Sequence, residues 1–277
     1  MNKLIILGEN GMLGNYIKKY FQKKSSMEIT CVNRQMFDVF TDPFENLETI
    51  LEPYLSNRTV VFNAIGAIPQ AQSNSTEHYV KINEEFPHKL SLLCKLSGAK
   101  MIHPSTDCVY SGSKGNYIET DLHDETNVYG TSKSAGEPIN CTVIRTSIIG
   151  EEVRNKRSLV EWVKGNARGE INGYVNHYWN GITCLQYAKI VEYMIVNNIF
   201  WEGIRHIYSP TTVSKCELVN MINDTYELCI KINKFETDVI VDKSLNSIYD
   251  ENKLFNIPEL FNQITEMREF SYTIYNF

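Results

Sequence analysis

The chain lacks any apolar run of the length, about 18 residues, that a membrane span needs, so no membrane partner is expected. It also lacks a basic excess: 27 Lys and Arg against 33 Asp and Glu leave a net charge of −6. General nucleic-acid binding needs a basic face to neutralise phosphates, so that class is disfavoured. The seven cysteines (31, 94, 108, 141, 184, 216 and 229) contain no CxxC and no spacing that suits a metal. A dispersed, odd set reads as free thiols in a reducing compartment, and no metal is expected. Repeats, low-complexity tracts and a clear linker are missing too. Met1 leads within three residues into strand-like LIIL rather than into a leader pattern, so a cytoplasmic place is expected.

What is present alternates between strand and helix patterns. Lys3 to Leu7 is a short apolar run of the kind a buried parallel strand shows. GENGMLG follows at 8–14, and then Leu13, Tyr16, Ile17, Tyr20 and Phe21 recur at helical spacing. A strand–glycine turn–helix lets backbone N–H groups approach a pyrophosphate, which makes Gly8, Gly11, Met12, Leu13 and Gly14 candidate cofactor residues. The same glycines also suit a tight turn that binds nothing. Glu28 to Val32 reads as a second strand, ending in Asn33 and Arg34 where a NAD site would carry an acid. A guanidinium suits a 2′-phosphate, so NADPH is favoured, with Asp38 beside the adenine; a solvated loop Arg is the alternative. A third strand from Thr59 delivers Ala64, Ile65 and Gly66, small enough in sum for a cofactor to lie close.

The densest chemistry lies between Ser105 and Lys133. A fourth strand, Lys100 to His103, carries Ser105, Thr106, Asp107 and Cys108 to its C-terminal end, where open α/β sheets bind ligands. Tyr129 and Lys133 are four apart, so a helix sets them one turn apart on one face. A Lys ammonium there favours the phenolate and is expected to lower the Tyr129 pKa. Tyr129 then suits proton donation to a carbonyl oxygen, and Thr106 offers a second hydroxyl to that oxygen.

These pieces together resemble the extended short-chain dehydrogenases/reductases, and more closely the dTDP-4-dehydrorhamnose reductase family. The residues that carry the likeness are GENGMLG (8–14), NAIG (63–66), the helix around Asn83, STDCVYSG (105–112), YGTSK (129–133) and RTS (145–147). The resemblance implies an α/β fold: a Rossmann-type doubly wound parallel sheet with a smaller C-terminal α/β lobe. It implies a NADP-binding domain over about 1–150, joined again by about 181–210, and a nucleotide-sugar lobe over 151–277. It also implies Thr106, Tyr129 and Lys133 as the reductase triad, with a homodimer as the usual assembly.

Cys108 departs from the aromatic residue of the plain reductases. It is similar instead to GDP-fucose synthases and to the nucleotide-rhamnose synthases of plants and giant viruses, which epimerise C3 and C5 before reducing C4. Protons α to a carbonyl are acidic, and a tuned thiol can move them. Inversion needs a second group, and the resemblance directs attention to NKRSLVEWVKG, which offers Lys156, Arg157 and Lys164; Lys164 is favoured, with Lys156 next, and a solvated helix Lys is the alternative. Further on, Asn176, Trp179 and Asn180 offer stacking and hydrogen bonds for a uracil base and ribose, though a packed aromatic loop has the same composition. The expected activity is NADPH-dependent 3,5-epimerisation and 4-reduction of a nucleotide-linked, by resemblance UDP-linked, 4-keto-6-deoxyglucose to nucleotide-L-rhamnose. Thr106, Asp107 and Cys108 would touch that sugar. A plain 4-reductase and a non-catalytic NADP-binding regulatory subunit are the alternatives.

Overall fold

The computed structural model describes residues 3–70 and 75–275. The chain divides into two compact units, the first made of 1–109, 125–145 and 188–205, the second of 110–124, 146–187 and 206–277. The sequence expectation, a single division near 150 with a return at about 181–210, sits beside a finer one: the chain enters the second unit briefly at 110–124 before leaving for it at 146.

The first unit is built on a six-stranded sheet. Its strands are β1 (Lys3–Leu7), β2 (Glu28–Val32), β3 (Thr59–Asn63), β4 (Lys100–Ser105), β5 (Thr142–Arg145) and β6 (Gly203–His206), ordered β6-β5-β4-β3-β1-β2. Strands β2, β1, β3, β4 and β5 run parallel, with Ile5 opposite both Thr30 and Val61. Parallel strands covered on both faces must be apolar throughout, and Leu4 to Leu7 and Val60 to Phe62 are all buried. The helices α1 (Met12–Lys24), α2 (Phe44–Leu51), α3 (Phe86–Ser97) and α4 (Val128–Ala135) supply the cover. Ile5, Leu7, Leu47, Leu51, Val61, Leu90 and Val143 belong to one core cluster. This is a Rossmann-type arrangement. The chain leaves β1 for β2 on one side and returns to β3 on the other, so the carboxyl ends of β1 and β3 form the switch point where such sheets hold ligands.

The second unit has its own core, including Ile149, Val160, Val163, Ile171, Ile182, Leu218 and Ile222. It contains a three-stranded sheet (Val213–Ser214, His177–Trp179, Val241–Asp242) and a parallel pair, Glu170–Tyr174 with Lys231–Phe235. Helix Lys215–Tyr226 starts on a reciprocal cap. Ser214 Oγ accepts from Glu217 N, and the Glu217 carboxylate accepts from Ser214 N at 2.7 Å. Among the described residues, no helix is long and apolar enough to cross a membrane.

Candidate active site

The glycine turn sits at the switch point. Gly8 follows β1 with a φ of +82°, a left-handed value that disfavours a side chain. A Cβ on Gly14 would lie 2.3 Å from the Gly8 carbonyl oxygen, so the first turn of α1 can approach β1 only with glycine there. Helix α1 begins at Gly11 with no side-chain cap and no acidic residue in its first turn. Its leading N–H groups therefore suit an anion, and the residues present fit a dinucleotide pyrophosphate. Ala64, Ile65 and Gly66 leave β3 beside this turn, with Ala64 N donating to Leu7 O at 2.9 Å. Leu13 is buried in the core and Met12 is half-buried at the helix start.

At the end of β2, Asn33 and Arg34 fall into a turn. The Arg34 side chain is 73% exposed, and its Nε lies 3.5 Å from Asp38 Oδ2. Asp38 also organises the loop, accepting from Phe40 N at 2.9 Å.

The reductase-like cluster gathers at the end of β4. Asp107–Val109 forms a single 3₁₀ turn, and the Thr106 hydroxyl accepts from Cys108 N at 3.1 Å and donates to Asp107 Oδ1 at 3.2 Å. The Cys108 thiol, half-buried, lies 3.6 Å from the same Asp107 oxygen. Helix α4 then brings Tyr129 and Lys133. Its N-terminus is capped by Asn127, whose Oδ1 accepts from Gly130 N at 2.8 Å. Gly130 is required for closeness: a Cβ there would lie 2.4 Å from the Cys108 carbonyl oxygen. The sequence YGTSK thus seats Tyr129 against the Thr106–Cys108 turn, and Thr106 hydrogen-bonds the phenol.

One expectation is reversed. Burial, and then the neighbouring Cys108 thiol, push the Tyr129 phenol well above its usual value, and the Thr106 hydrogen bond offsets this only in part. Lys133 does not supply the expected depression, because its ammonium donates to the Pro104 carbonyl at 2.9 Å. Burial pulls the Lys133 pKa down to about 8, against the opposing charge of Glu137. The phenol is therefore a proton donor that stays protonated at neutral pH, with a cation close to titrating one helical turn away.

Asn83 and Arg145, named in the sequence only as parts of motifs, gain partners in the structure. Asn83 lies in a π-helical stretch, Val80–Glu85, that leads into α3. Its amide donates to Ala67 O at 3.0 Å and Ser132 Oγ at 3.2 Å, and its oxygen accepts from Ala67 N at 2.8 Å. It so ties the loop after β3 to the helix that carries Tyr129. Arg145, fully buried, donates to both carboxylate oxygens of Glu137 at 2.9 and 2.5 Å, and Ser105 donates to the same carboxylate. In sequence, only the rarity of a charged residue inside an apolar strand hinted at that pair.

The remaining candidates lie in the second unit. Lys164, on helix Leu159–Gly165, donates to Glu151 Oε1 at 2.9 Å, lies 3.5 Å from Glu161 and sits 5.3 Å from the Tyr226 ring centre. Burial alone would lower its pKa, but the two carboxylates outweigh this and hold the ammonium above its usual value. Asn176, Trp179 and Asn180 are interior residues. The Asn176 amide donates to Thr237 O at 2.7 Å, Asn180 is bonded through both side-chain atoms to Leu245 at 2.8 Å, and Trp179 is 2% exposed. Their side chains serve the interior of the unit. Lys215 lies over the Trp179 ring at 4.9 Å.

Sheet order and glycine turn together define a Rossmann-type protein. The RmlD substrate binding domain family matches residues 1–168, and the chain belongs to that family. It is 27% identical over 150 residues to a dTDP-4-dehydrorhamnose reductase of Aggregatibacter actinomycetemcomitans, covering 54% of this chain and 50% of that protein. It is also 24% identical over 172 residues to methionine adenosyltransferase 2 subunit beta of Bos taurus, covering 57% and 50%. The chain spans about half the length of the curated relatives it matches. A dTDP-4-dehydrorhamnose reductase of Bacillus anthracis, solved in complex with NADP, shares the fold at a TM-score of 0.80 and 18% identity, over 97% of this chain and 99% of that one.

Proposed function

We propose that the protein is an NADPH-dependent reductase of a nucleotide-linked 4-keto-6-deoxyhexose, and that Cys108 adds epimerisation at C3 and C5 before reduction. The observation that carries the reading is the grouping of Thr106, Cys108, Tyr129 and Lys133 at the carboxyl end of β4, which Gly130 makes possible. NADPH, held at the glycine turn with Ala64 to Gly66 and with Asn33 and Arg34 toward its 2′-phosphate, supplies the hydride for C4. Tyr129 donates its proton to the C4 oxygen, and Thr106 holds that oxygen by a second hydrogen bond. Lys133, charged below a pH of about 8, is the proposed cation of the site and a proposed cofactor contact. The protons on C3 and C5 are α to the same carbonyl. Cys108 is the proposed carrier of these protons, and Lys164 is the proposed second acid/base that inversion requires. The product is a nucleotide-L-rhamnose, the carrier nucleotide being UDP by the likeness of Cys108 to the rhamnose synthases, and the assembly a homodimer by family likeness.

A plain 4-reductase is the second reading, favoured by the tie of Lys164 to Glu151 and Glu161. A regulatory subunit is a third, favoured by the likeness to methionine adenosyltransferase 2 subunit beta. One assay separates them. NADPH oxidation is followed with the unepimerised 4-keto-6-deoxy sugar in D₂O, for the parent and for Cys108→Ala. The bifunctional enzyme places solvent deuterium at C3 and C5, and Cys108→Ala loses that product yet still reduces sugar that a separate epimerase has inverted. Turnover only on pre-inverted sugar, or a fully active Cys108→Ala on the unepimerised sugar, leaves the plain reductase. No oxidation with either sugar leaves the regulatory subunit.

A further inference from the structure

We propose that Glu9 sets the discrimination between a 2′-phosphorylated and an unphosphorylated dinucleotide, pulling it toward the hydroxyl, with Lys18 as its counterion. The inference rests on the cofactor site described above. Glu9 stands inside the glycine turn, between Gly8 and Gly11, and is 7% exposed. A carboxylate so placed is costly unless it is held, and three groups hold it. Lys18, one and a half turns into α1, donates to Oε2. Asn33, at the end of β2, offers its amide to Oε1 at 3.4 Å. The Cys31 thiol is the third, and burial, then the Glu9 charge, push it up to about 12, so that it keeps its proton. Burial would raise the Glu9 carboxyl, but these partners outweigh it and hold the group below the usual carboxylate range.

The consequence follows from where Asn33 is. The end of the second strand is where a Rossmann site reads the adenosine ribose, and an acid there favours a free 2′-hydroxyl. This chain has an amide at that place and brings the acid to it from the turn instead. The corner holds Glu9 with Lys18 and Arg34 with Asp38, two acids and two bases. It is near neutral, not the positive corner that Asn33 and Arg34 alone suggest. A 2′-phosphate meets Arg34 but also the fixed negative charge of Glu9, which repels it. A 2′-hydroxyl meets a carboxylate that can accept from it.

The test is the ratio of NADPH to NADH affinity, read by fluorescence titration of the full chain, with thermal melts of each variant. Glu9→Gln keeps the shape and removes the charge, so the ratio should rise by about tenfold, the effect of a close charge at intermediate dielectric. Lys18→Met leaves the Glu9 charge unneutralised and should lower the ratio. Glu9→Asp, which keeps the charge, should stay nearer to the parent than Glu9→Gln does. If Glu9→Gln melts too low to titrate, the Lys18→Met arm carries the same test with opposite sign. An unchanged ratio in a folded Glu9→Gln or Lys18→Met, equal loss of both affinities, or a shift of both variants in one direction overturns the role of Glu9 while leaving the cofactor site standing. A parent chain that binds neither dinucleotide overturns the cofactor site itself, and this inference with it.

Discussion

Tyr129 and Lys133 must both hold their protons in the proposed reaction, and burial moves their two alkaline limits apart. The phenol, raised by burial and by Cys108, keeps its proton across the neutral range. Replacing Tyr129 by Phe removes that proton and retains the ring, so reduction should fall by about 10²–10⁴ while NADPH titration is unchanged. Near-parental turnover of Tyr129→Phe would show another donor at the C4 oxygen. Lys133 has a folded pKa of about 8, below its ordinary 10.5, because burial penalises the ammonium. Its charge is complete below that value and fades above it, so the reduction rate should fall as pH rises through about 8. Stability moves the other way. Between about 8 and 10.5 the unfolded chain binds more protons than the folded one at this residue, so the Lys133 contribution to stability grows with pH. A rate that falls while the melting temperature does not is therefore the signature to look for, and Lys133→Met should lose that alkaline limb.

At the scale of elements, the ends of β4 and β5 are held by a buried ion pair, and α4 is held by glycine. Arg145 and Glu137 are both nearly inaccessible, and each satisfies the other through two hydrogen bonds. Removing one partner strands the other, so Glu137→Ala should cost about 3–5 kcal/mol in chemical denaturation, and Glu137→Gln, which can still accept from Arg145 and Ser105, distinctly less. Equal losses would mean that the charge, rather than the geometry, is what matters. The elements themselves were largely legible. Lys3–Leu7 has the bounds its apolar run suggests, since a buried strand between helices must be apolar along its length, whereas Glu28–Val32 is an edge strand of which only Val32 is buried. The glycine turn and YGTSK were legible because only particular residues allow that closeness. What sequence could not convey was which polar groups meet. Glu9 reaches Asn33 across 24 residues, and Asn83 reaches Ser132 across 49, pairings with no local period. Asn176, Trp179 and Asn180 are ambiguous in sequence for the complementary reason. Amide and indole groups look the same in a binding loop and in a satisfied interior, and here each Asn amide is used by backbone 61 or 65 residues away.

For the whole molecule, the division of the chain has a sharper consequence than a boundary near residue 150. The first unit needs residues 188–205, which arrive only after the chain has traversed most of the second unit's first half. Along helix Cys184–Asn197, Ile190, Val191, Met194 and Ile195 are all buried, and the Tyr20 hydroxyl donates to Glu192 at 2.5 Å. Then Trp201 N donates to Thr142 Oγ1 at 3.2 Å, the Thr142 hydroxyl returns a bond to Trp201 O at 2.7 Å, and Gly203 N donates to Cys141 O at 2.9 Å. Those four apolar side chains, at about 1.5–3 kcal/mol each, contribute some ~6–12 kcal/mol. That is comparable to the whole stability of an ordinary domain, about 5–15 kcal/mol. A fragment of residues 1–150 would also leave β5 as an open sheet edge, with Thr142 and Cys141 lacking their partners, and open edges invite aggregation. Such a fragment should therefore give no cooperative melt and no NADPH-dependent shift. The full chain should melt cooperatively and gain about 2.7 kcal/mol with NADPH at a hundred times its dissociation constant. A version in which 188–205 is rejoined to 1–145 by a flexible linker should recover both properties if the contacts above are what hold the unit together. A well-folded, NADPH-responsive 1–150 fragment would show instead that the sheet closes without β6, and that the returning segment serves some purpose other than stability.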